Sequence, residues 1–236
     1  MITGASSGIG EALARHYSAR GCTLGLLSRK SASYPVDVTD IPSVRAAAED
    51  FMERVGVPDI VIANAGVSSG TQGDALGDMD KLRRMLDVNV TGMAASLAAF
   101  APAMRKAGKG TLVGIASVAG FRGIAGSGAY SASKAAAITW LESLRAELHG
   151  SGVAVVCICP GYIDTPMTRV NRYRMPFLIS ADEAAPRIAR AIAARRRLAV
   201  IPWQMALASR AWRALPGWLY DRLAARAPRK PTDVPV

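Results

Sequence analysis

A tyrosine and a lysine that could move a proton stand one helical turn apart near the middle of the chain. Tyr130 and Lys134 are the first and last residues of the segment Tyr-Ser-Ala-Ser-Lys, and a helix would put them on one face. An ammonium beside a phenol favours the phenolate, so we expect Lys134 to lower the pKa of Tyr130 from about 10. The pair predicts an acid and base usable near neutral pH. Taken alone, it is also typical of surface packing.

A serine that could hold a substrate beside Tyr130 precedes it in the chain. Ser117 follows the apolar run Thr111–Ala116, which is typical of a buried strand. Parallel α/β sheets build their sites at the ends of such strands. The Ser117 hydroxyl could hydrogen-bond a carbonyl or hydroxyl group of a substrate, although serine is common at strand ends for other reasons.

A glycine-rich turn at Thr3–Gly10 contains Gly4, Gly8 and Gly10 and leads into a predicted helix. Such glycines let the backbone approach a pyrophosphate, and the free N–H groups and dipole of a helix N-terminus favour negative charge. The turn is compatible with an ordinary loop as well. Its interpretation therefore depends on the other motifs.

Two cations follow the next predicted strand. Arg29 and Lys30 come about twenty residues after the glycine turn, where enzymes that select NAD(H) have an acidic residue for the ribose 2′-hydroxyl. No acidic residue occurs between Glu11 and Asp37. Arg29 could instead grip a 2′-phosphate with its planar guanidinium, and Lys30 would add a point charge. The pattern predicts NADP(H), with NAD(H) possible.

The elements that must position these residues alternate along the chain. Short apolar runs rich in β-branched residues alternate with longer Ala- and Leu-rich segments of helical period, which predicts an α/β fold with a parallel sheet covered by helices. The predicted strands are Thr23–Leu27, Ile60–Ala63, Thr111–Ala116, Val153–Cys159 and Leu198–Ile201. The predicted helices are Ile9–Arg20, Ile41–Val55, Lys81–Arg105, Ala132–His149 and Ala181–Ala194.

Two places depart from this alternation. The chain reaches the glycine turn directly after Met1-Ile2, which leaves little room for a first strand. The stretch between Arg29 and Val36 is too short for a helix that connects two parallel strands. We interpret both as residues missing from the sequence, the alternative being a trimmed first crossover.

The length of 236 residues predicts one domain, with a core over residues 1–201 and a basic, apolar extension over residues 202–236. The segment Ile201–Arg226 predicts an Arg-rich amphipathic helix pair, because Pro202 and Pro216 break any longer helix. This tail could cover the substrate cleft, lie on a membrane surface, or pack against the core or a second subunit.

Composition excludes several classes of protein. The net charge of +11 raises the possibility of a polyanionic partner, but the chain has no zinc-finger spacing or aromatic-basic interleaving, so we expect no nucleic acid. Three cysteines without metal spacing predict reduced residues and no metal site. No apolar run is long enough to span a bilayer, and no signal segment is evident, so we expect a cytoplasmic protein.

Together the motifs resemble the short-chain dehydrogenase/reductase family, whose pattern is TGxxxGxG, NAG, a mid-helix Asn, Ser, YxxxK and PG. The resemblance covers about Met1 to Ile201 and implies a single-domain, doubly wound Rossmann-type sheet with helices on both faces. The matching residues, in order, are Thr3–Gly10, Asn64-Ala65-Gly66, Asn89, Ser117, Tyr130 with Lys134, and Pro160-Gly161.

The resemblance implies a role for each of four catalytic residues. Tyr130 would protonate a carbonyl oxygen in reduction or remove a hydroxyl proton in oxidation, while Ser117 would orient that oxygen. Lys134 would bind the nicotinamide ribose and depress the pKa of Tyr130. Asn89 would hold a water that links Lys134 to solvent.

The resemblance also implies the cofactor contacts. The pyrophosphate would lie against the glycine turn, the adenine against the residues after the third strand, and the carboxamide and phosphates against the PGxxxT segment. Tyr130 and Lys134 would touch the cofactor as well. The remaining contacts are Gly4, Ser6, Gly8, Ile9, Gly10, Arg29, Asp37, Val38, Asn64, Ala65, Gly66, Pro160, Ile163 and Thr165.

The predicted function is therefore transfer of a hydride between a nicotinamide cofactor and a small carbonyl or alcohol substrate. We expect that substrate to be apolar, because Met167, Tyr173, Met175 and Phe177 occupy the segment that would cover it. Reduction of 3-oxoacyl thioesters on an acidic carrier is an alternative enzyme function. A non-catalytic cofactor-sensing protein, held at a membrane by its tail, is the alternative of another class.

The resemblance also implies a homodimer or homotetramer. The helices at Lys81–Arg105 and Ala132–His149 would pair across a two-fold axis. Alanines on the first of them would permit close approach: Ala94, Ala95, Ala98 and Ala99.

Overall fold

A computed structural model describes residues 1–30 and 33–233 of the chain. Its centre is a seven-stranded sheet in which every neighbouring pair is parallel, in the order β3-β2-β1-β4-β5-β6-β9. The order reverses between β1 and β4, so the sheet is doubly wound as predicted. The strands are β1 (Ile2–Thr3), β2 (Leu26–Ser28), β3 (Tyr34–Pro35), β4 (Ile60–Ala63), β5 (Gly110–Ile115), β6 (Val153–Pro160) and β9 (Leu198–Ile201). A separate parallel pair joins β7 (Ile163–Asp164) to β8 (Ile179–Ser180).

Helices cover both faces of the sheet, because each has one apolar side. Leu13 and Ile188 pack against one face, and Phe51, Leu97 and Leu141 belong to the core on the other. The predicted layer architecture is confirmed. The helices are α1 (Gly8–Ser18), α2 (Ile41–Val55), α3 (Met79–Leu86), α4 (Met93–Ala98), α5 (Ala101–Ala107), α6 (Gly128–Glu147), α7 (Pro166–Arg169), α8 (Ala181–Ala193), α9 (Trp203–Ala214) and α10 (Gly217–Ala224).

The prediction of one continuous helix over Lys81–Arg105 was wrong. A π-helical turn at Asp87–Gly92 joins α3 to α4. The helix then ends after Ala98, and α5 begins at Ala101, after Phe100. Pro102 lies at the start of α5, where its missing N–H is tolerated, but it would interrupt a continuous helix. Such π-helical turns are frequent at functional sites, and this one carries Asn89.

The first crossover contains no helix in its described part. β2 is followed almost at once by β3, and the two pair through Leu27 with Tyr34 and Ser28 with Pro35. Residues 31 and 32 of the connection lie outside the described residues. The hypothesis that residues are missing here and before Met1 stays a prediction.

The tail forms the expected helix pair, α9 and α10, and Arg122 is one of the residues that bind it to the core. The Arg122 guanidinium donates to the carbonyls of Trp212 and Leu215 at 2.7 and 2.8 Å and lies 3.8 Å from the ring centroid of Tyr220. Arginine near the last carbonyls of a helix satisfies groups that have no partner within it. Within the described residues, no helix combines the length and apolarity that a membrane span needs.

Candidate active site

The turn between β1 and α1 is joined to the end of β4 by hydrogen bonds between side chains and the backbone. The Asn64 side chain donates to the carbonyls of Thr3 and Gly4 at 3.1 and 3.2 Å, and the Thr3 hydroxyl accepts from the N–H groups of Asn64 and Ala65. Gly4 has φ 64°, and a Cβ there would lie 2.8 Å from the Ala65 Cα. Only glycine fits this approach.

The start of α1 lies open to a cleft of about 330 Å³ along the carboxyl ends of the central strands. Ser7 caps the helix without a side-chain hydrogen bond, so the first N–H groups of α1 keep no side-chain acceptor there. Thirteen of the sixteen predicted cofactor contacts line this cleft: Gly4, Ser6, Gly8, Ile9, Arg29, Asp37, Val38, Asn64, Ala65, Gly66, Lys134, Pro160 and Thr165.

At the β2 end of the cleft, two cations have no acidic partner among the described residues, whereas the nearby carboxylate of Asp37 is paired. Arg29 and Lys30 are exposed there and make no ion pair with any described residue. Asp37 instead accepts from Thr39 and from Arg84 at 3.1 Å. Burial alone would raise the pKa of Asp37, but these hydrogen bonds outweigh burial and lower the pKa.

Tyr130 lies in the first turn of α6, and its phenol lies close to the Ser117 hydroxyl. Ser117 is buried at the end of β5, where its Oγ also accepts from the Ala119 N–H at 3.2 Å. Burial raises the pKa of Tyr130, and the nearby Ser117 hydroxyl only partly opposes this. The expectation that Lys134 lowers this pKa was wrong for the protein alone.

The position of Lys134 explains the correction. Its Nζ lies 5.8 Å from the ring centroid of Tyr130 and donates to the Ile115 carbonyl at 2.9 Å. The residue is 4% exposed, and burial lowers its own pKa to about 8. The ammonium is therefore held by the backbone at the end of β5. Among the described residues, it is not one of the causes of the shift in the pKa of Tyr130.

The Asn89 side chain makes three hydrogen bonds within the protein. Its amide exchanges two hydrogen bonds with the backbone of Val67, at 2.9 and 3.0 Å, and donates to Ser133 Oγ at 3.0 Å. Ser133 in turn donates to the Tyr130 carbonyl at 2.8 Å. A Cβ on Gly66 would lie 3.2 Å from Asn89 Oδ1 and 3.5 Å from Lys134 Nζ. Asn89 thus joins the loop after β4 to the helix that carries Tyr130 and Lys134.

Comparison with known proteins adds the deciding observation. The sequence profile described as short chain dehydrogenase matches residues 1–175. This chain belongs to the short-chain dehydrogenase family.

Relatives in the family agree in length as well as in sequence. An "Uncharacterized oxidoreductase" of Myxococcus xanthus is 38% identical, and the match covers 96% of each chain. "Ketoacyl reductase HetN" of Nostoc is 29% identical over 81% of this chain and 74% of its own. A Burkholderia cenocepacia short chain dehydrogenase, solved in complex with NADP, superposes with a TM-score of 0.81 at 27% identity, over 95% and 94% of the two chains.

Three of the sixteen family-derived contacts do not line the cleft: Tyr130, Ile163 and Gly10. Ile163 of β7 is 2% exposed, and its side chain belongs to the core cluster that contains Ile188 of α8. Gly10 lies behind the turn, where a Cβ would come within 2.3 Å of the Gly4 carbonyl oxygen and 2.4 Å of Asn64 Nδ2. Its role in this short-chain dehydrogenase is to let α1 pack against the turn.

Three residues at the site were missed by the sequence analysis. Arg84 lines the cleft beside Asp37, Ser133 connects Asn89 to Tyr130, and Lys230 lies 6.0 Å from the Tyr130 ring centroid. Ser133 lies inside the YxxxK segment, so the sequence alone could have predicted that it lies one helical turn from Tyr130. Arg84 and Lys230 reach the site only through tertiary contacts, which no local pattern reveals.

Proposed function

We propose that this chain transfers a hydride between NADP(H) and a carbonyl or alcohol group of a small molecule, with Tyr130 as acid and base. The observation that carries the proposal is that the Tyr130 phenol, the Ser117 hydroxyl and Lys134 come together at the end of a cleft suited to a dinucleotide. Oxidoreduction is the chemistry of the family, and the residue roles are our extension of it.

The cleft fits a dinucleotide on physical grounds. Glycine at Gly4 leaves the space that a Cβ would fill, and the open N-terminus of α1 suits a pyrophosphate. The Burkholderia relative contains NADP. In this chain the residues along the cleft, from Arg29 to Lys134, would hold the cofactor, which supplies or accepts the hydride when bound.

The protein's own contribution is to orient oxygen and move one proton. Tyr130 would donate its phenolic proton to the carbonyl oxygen in reduction, and would take the hydroxyl proton in oxidation. Ser117 would hold the same oxygen. A phenol is protonated at neutral pH at its ordinary pKa, and burial raises the pKa of Tyr130 further, so the protein alone is ready as a proton donor. Asn89 and Ser133 would fix the α6 backbone at Tyr130.

The preference for NADP(H) over NAD(H) rests on Arg29 and Lys30. Both are exposed at the cleft, and neither has an acidic partner among the described residues. A 2′-phosphate would find a guanidinium and an ammonium there, whereas an unphosphorylated ribose would meet no carboxylate except Asp37, which Arg84 already holds.

Reduction of 3-oxoacyl thioesters remains a second candidate, since the Nostoc relative is named a ketoacyl reductase. The strongly basic balance of the chain would suit an acidic carrier. Residues 230–231, which follow the two tail helices, favour a small free substrate instead. They bind the loop after β4 and bring Lys230 to within 6.0 Å of the Tyr130 ring centroid, which narrows the approach to Tyr130.

Assembly into a dimer or tetramer is part of the proposal. An apolar groove between α4–α5 and α6 contains Ala98, Trp140 and Leu144, where the sequence predicted a two-fold contact. Light scattering should give a dimer or larger, and Ala98→Arg should dissociate that contact. A monomeric wild-type protein would contradict it. Membrane contact through the tail and a cytoplasmic location stay predictions.

A panel of ketones and alcohols, tested with both cofactors and read by nicotinamide absorbance, tests the function. We expect turnover of at least one carbonyl substrate with NADPH, and carrier-bound thioesters tested beside free ketones separate the two candidates. A protein that binds NADPH tightly but oxidises it with no member of either class would favour a sensing role.

A further inference from the structure

The end of the described chain forms a strap across the substrate side of the site. The strap, residues 229–233, is tied to the loop after β4 by the Gly70 N–H, which donates to the Pro231 carbonyl at 3.0 Å. Lys81 of α3 donates to the Thr232 carbonyl at 2.9 Å. Asp233 lies 4.0 Å from Arg172, beyond α7. The strap therefore connects the loop after β4 and α3 to the segment beyond α7.

The core has glycine at the two places where the strap passes closest. A Cβ on Gly70 would lie 2.3 Å from the Lys230 carbonyl oxygen. Gly126 has φ 75°, and a Cβ there would lie 2.8 Å from the Arg229 Cβ. Backbone contacts this close fix the course of the strap and hence the direction of its side chains.

One side chain of the strap points to the reaction centre. Lys230 Nζ donates to Ser68 Oγ at 2.8 Å and lies 6.0 Å from the Tyr130 ring centroid. The residue is half-buried, and burial lowers its pKa to about 8, so most of it is charged at pH 7. Its ammonium is the second near this ring, besides that of Lys134.

Lys230 has no acidic partner within 4.0 Å among the described residues. The acidic groups around the strap are already engaged: Asp78 binds Lys81 and the Gln72 N–H, and Asp233 faces Arg172. A partly buried cation without a counter-charge is costly, and a bound anion would offset that cost. Ser68 accepts from Lys230 and keeps its hydroxyl proton to donate to such an anion.

We infer that Lys230 binds an anionic group of the substrate, such as a carboxylate, and with Ser68 holds it beside the oxygen that Tyr130 and Ser117 engage. This inference rests on the proposed function and deepens it, because it names small oxo and hydroxy acids as the substrate class. It replaces the expectation of a wholly apolar substrate. Tyr173, which packs edge-on against Tyr162, leaves an aromatic wall for the carbon chain.

Binding to the protein loaded with oxidised NADP tests the inference, because an oxo acid cannot be reduced in that complex. Calorimetry at pH 7 should compare small oxo acids of increasing chain length, including acetoacetate and levulinate, with their methyl esters. We expect the best acid to bind about tenfold to a hundredfold more tightly than its ester, as for a charge-assisted hydrogen bond. Lys230→Met should abolish that preference, and Lys230→Arg should retain most of it.

Arg226→Met is the matched control, since it removes one exposed tail cation that has no ion pair within the described residues. We expect it to leave the preference unchanged. The inference is overturned if no acid binds more tightly than its ester, or if Lys230→Met weakens acid and ester equally. Failure of the proposed function would give a different result: neither acids nor neutral ketones would be reduced with NADPH.

Discussion

The cofactor cleft and the substrate side of the same site are built in different ways. The cofactor cleft is a backbone structure, in which the Gly4 turn is clamped by Asn64 and a helix N-terminus is left open. The substrate side is made of side chains from distant segments, with Tyr130 on α6, Tyr173 beyond α7 and Lys230 on the strap. A backbone site leaves a signature of spaced glycines in the sequence. A side-chain site leaves a signature only where its residues are neighbours in the chain, as Tyr130 and Lys134 are, and none where a distant residue such as Lys230 joins them.

Tyr130→Phe should break the substrate side while sparing the cofactor side. The ring keeps its packing and only the hydroxyl that would transfer the proton is lost, so we expect kcat/KM to fall by about 10²- to 10⁴-fold. The dissociation constant of NADPH, measured by fluorescence, should change little. A variant with most of its turnover would remove Tyr130 from the mechanism.

Gly10→Ala should break the cofactor side first. The added methyl group would come within 2.3 Å of the Gly4 carbonyl oxygen, so the turn and α1 must separate. We expect NADPH affinity to fall at least about tenfold and the melting temperature to drop by several degrees, as for overpacking. Gly77→Ala is the control, because nothing lies within 4 Å of its added Cβ. Equal affinities in both variants would contradict the packing described for α1.

Arg29→Asp should change which cofactor the cleft accepts without touching the substrate side. The variant replaces a guanidinium that could bind a 2′-phosphate with a carboxylate that repels it, so the NADPH/NADH ratio of kcat/KM should fall about tenfold or more. Arg45→Asp, an exposed change of the same charge on α2, controls for overall electrostatics. An unchanged ratio in Arg29→Asp would show that these cations do not select the cofactor.

The smallest effect concerns Lys134, where the two sides meet. Folding lowers its pKa from 10.5 to about 8, so between these values the unfolded chain binds more protons than the folded one. Stability conferred at this position therefore rises with pH in that window. Relative to Lys134→Met, the free energy of unfolding of the wild type should rise by about 1 kcal/mol between pH 8 and pH 9. A pH-independent difference in urea titrations would mean that Lys134 is not desolvated.

The same contrast explains what could be predicted from the sequence. The sheet and most helices follow from apolar periodicity, which is local. The residues along the cofactor cleft follow from the resemblance of several short motifs to those of the family. The π-helical turn was missed because it has no strong composition of its own. The interruption before α5 was missed although Pro102, a residue typical of a helix start, is a local signal for it. The pKa of Tyr130 was misjudged because spacing gives the distance to Lys134 but not the burial of the phenol. Lys230 was missed because only the folded tail brings it to Tyr130.

Transfer of isotope from the cofactor tests most directly that both sides serve one reaction. NADPH deuterated at the transferable position of the nicotinamide would be incubated with a turned-over carbonyl substrate, wild-type protein and, in parallel, Tyr130→Phe. The account predicts one deuterium on the carbinol carbon of the wild-type product and almost no product from the variant. Product alcohol without deuterium, or equal labelling by the variant, would contradict it.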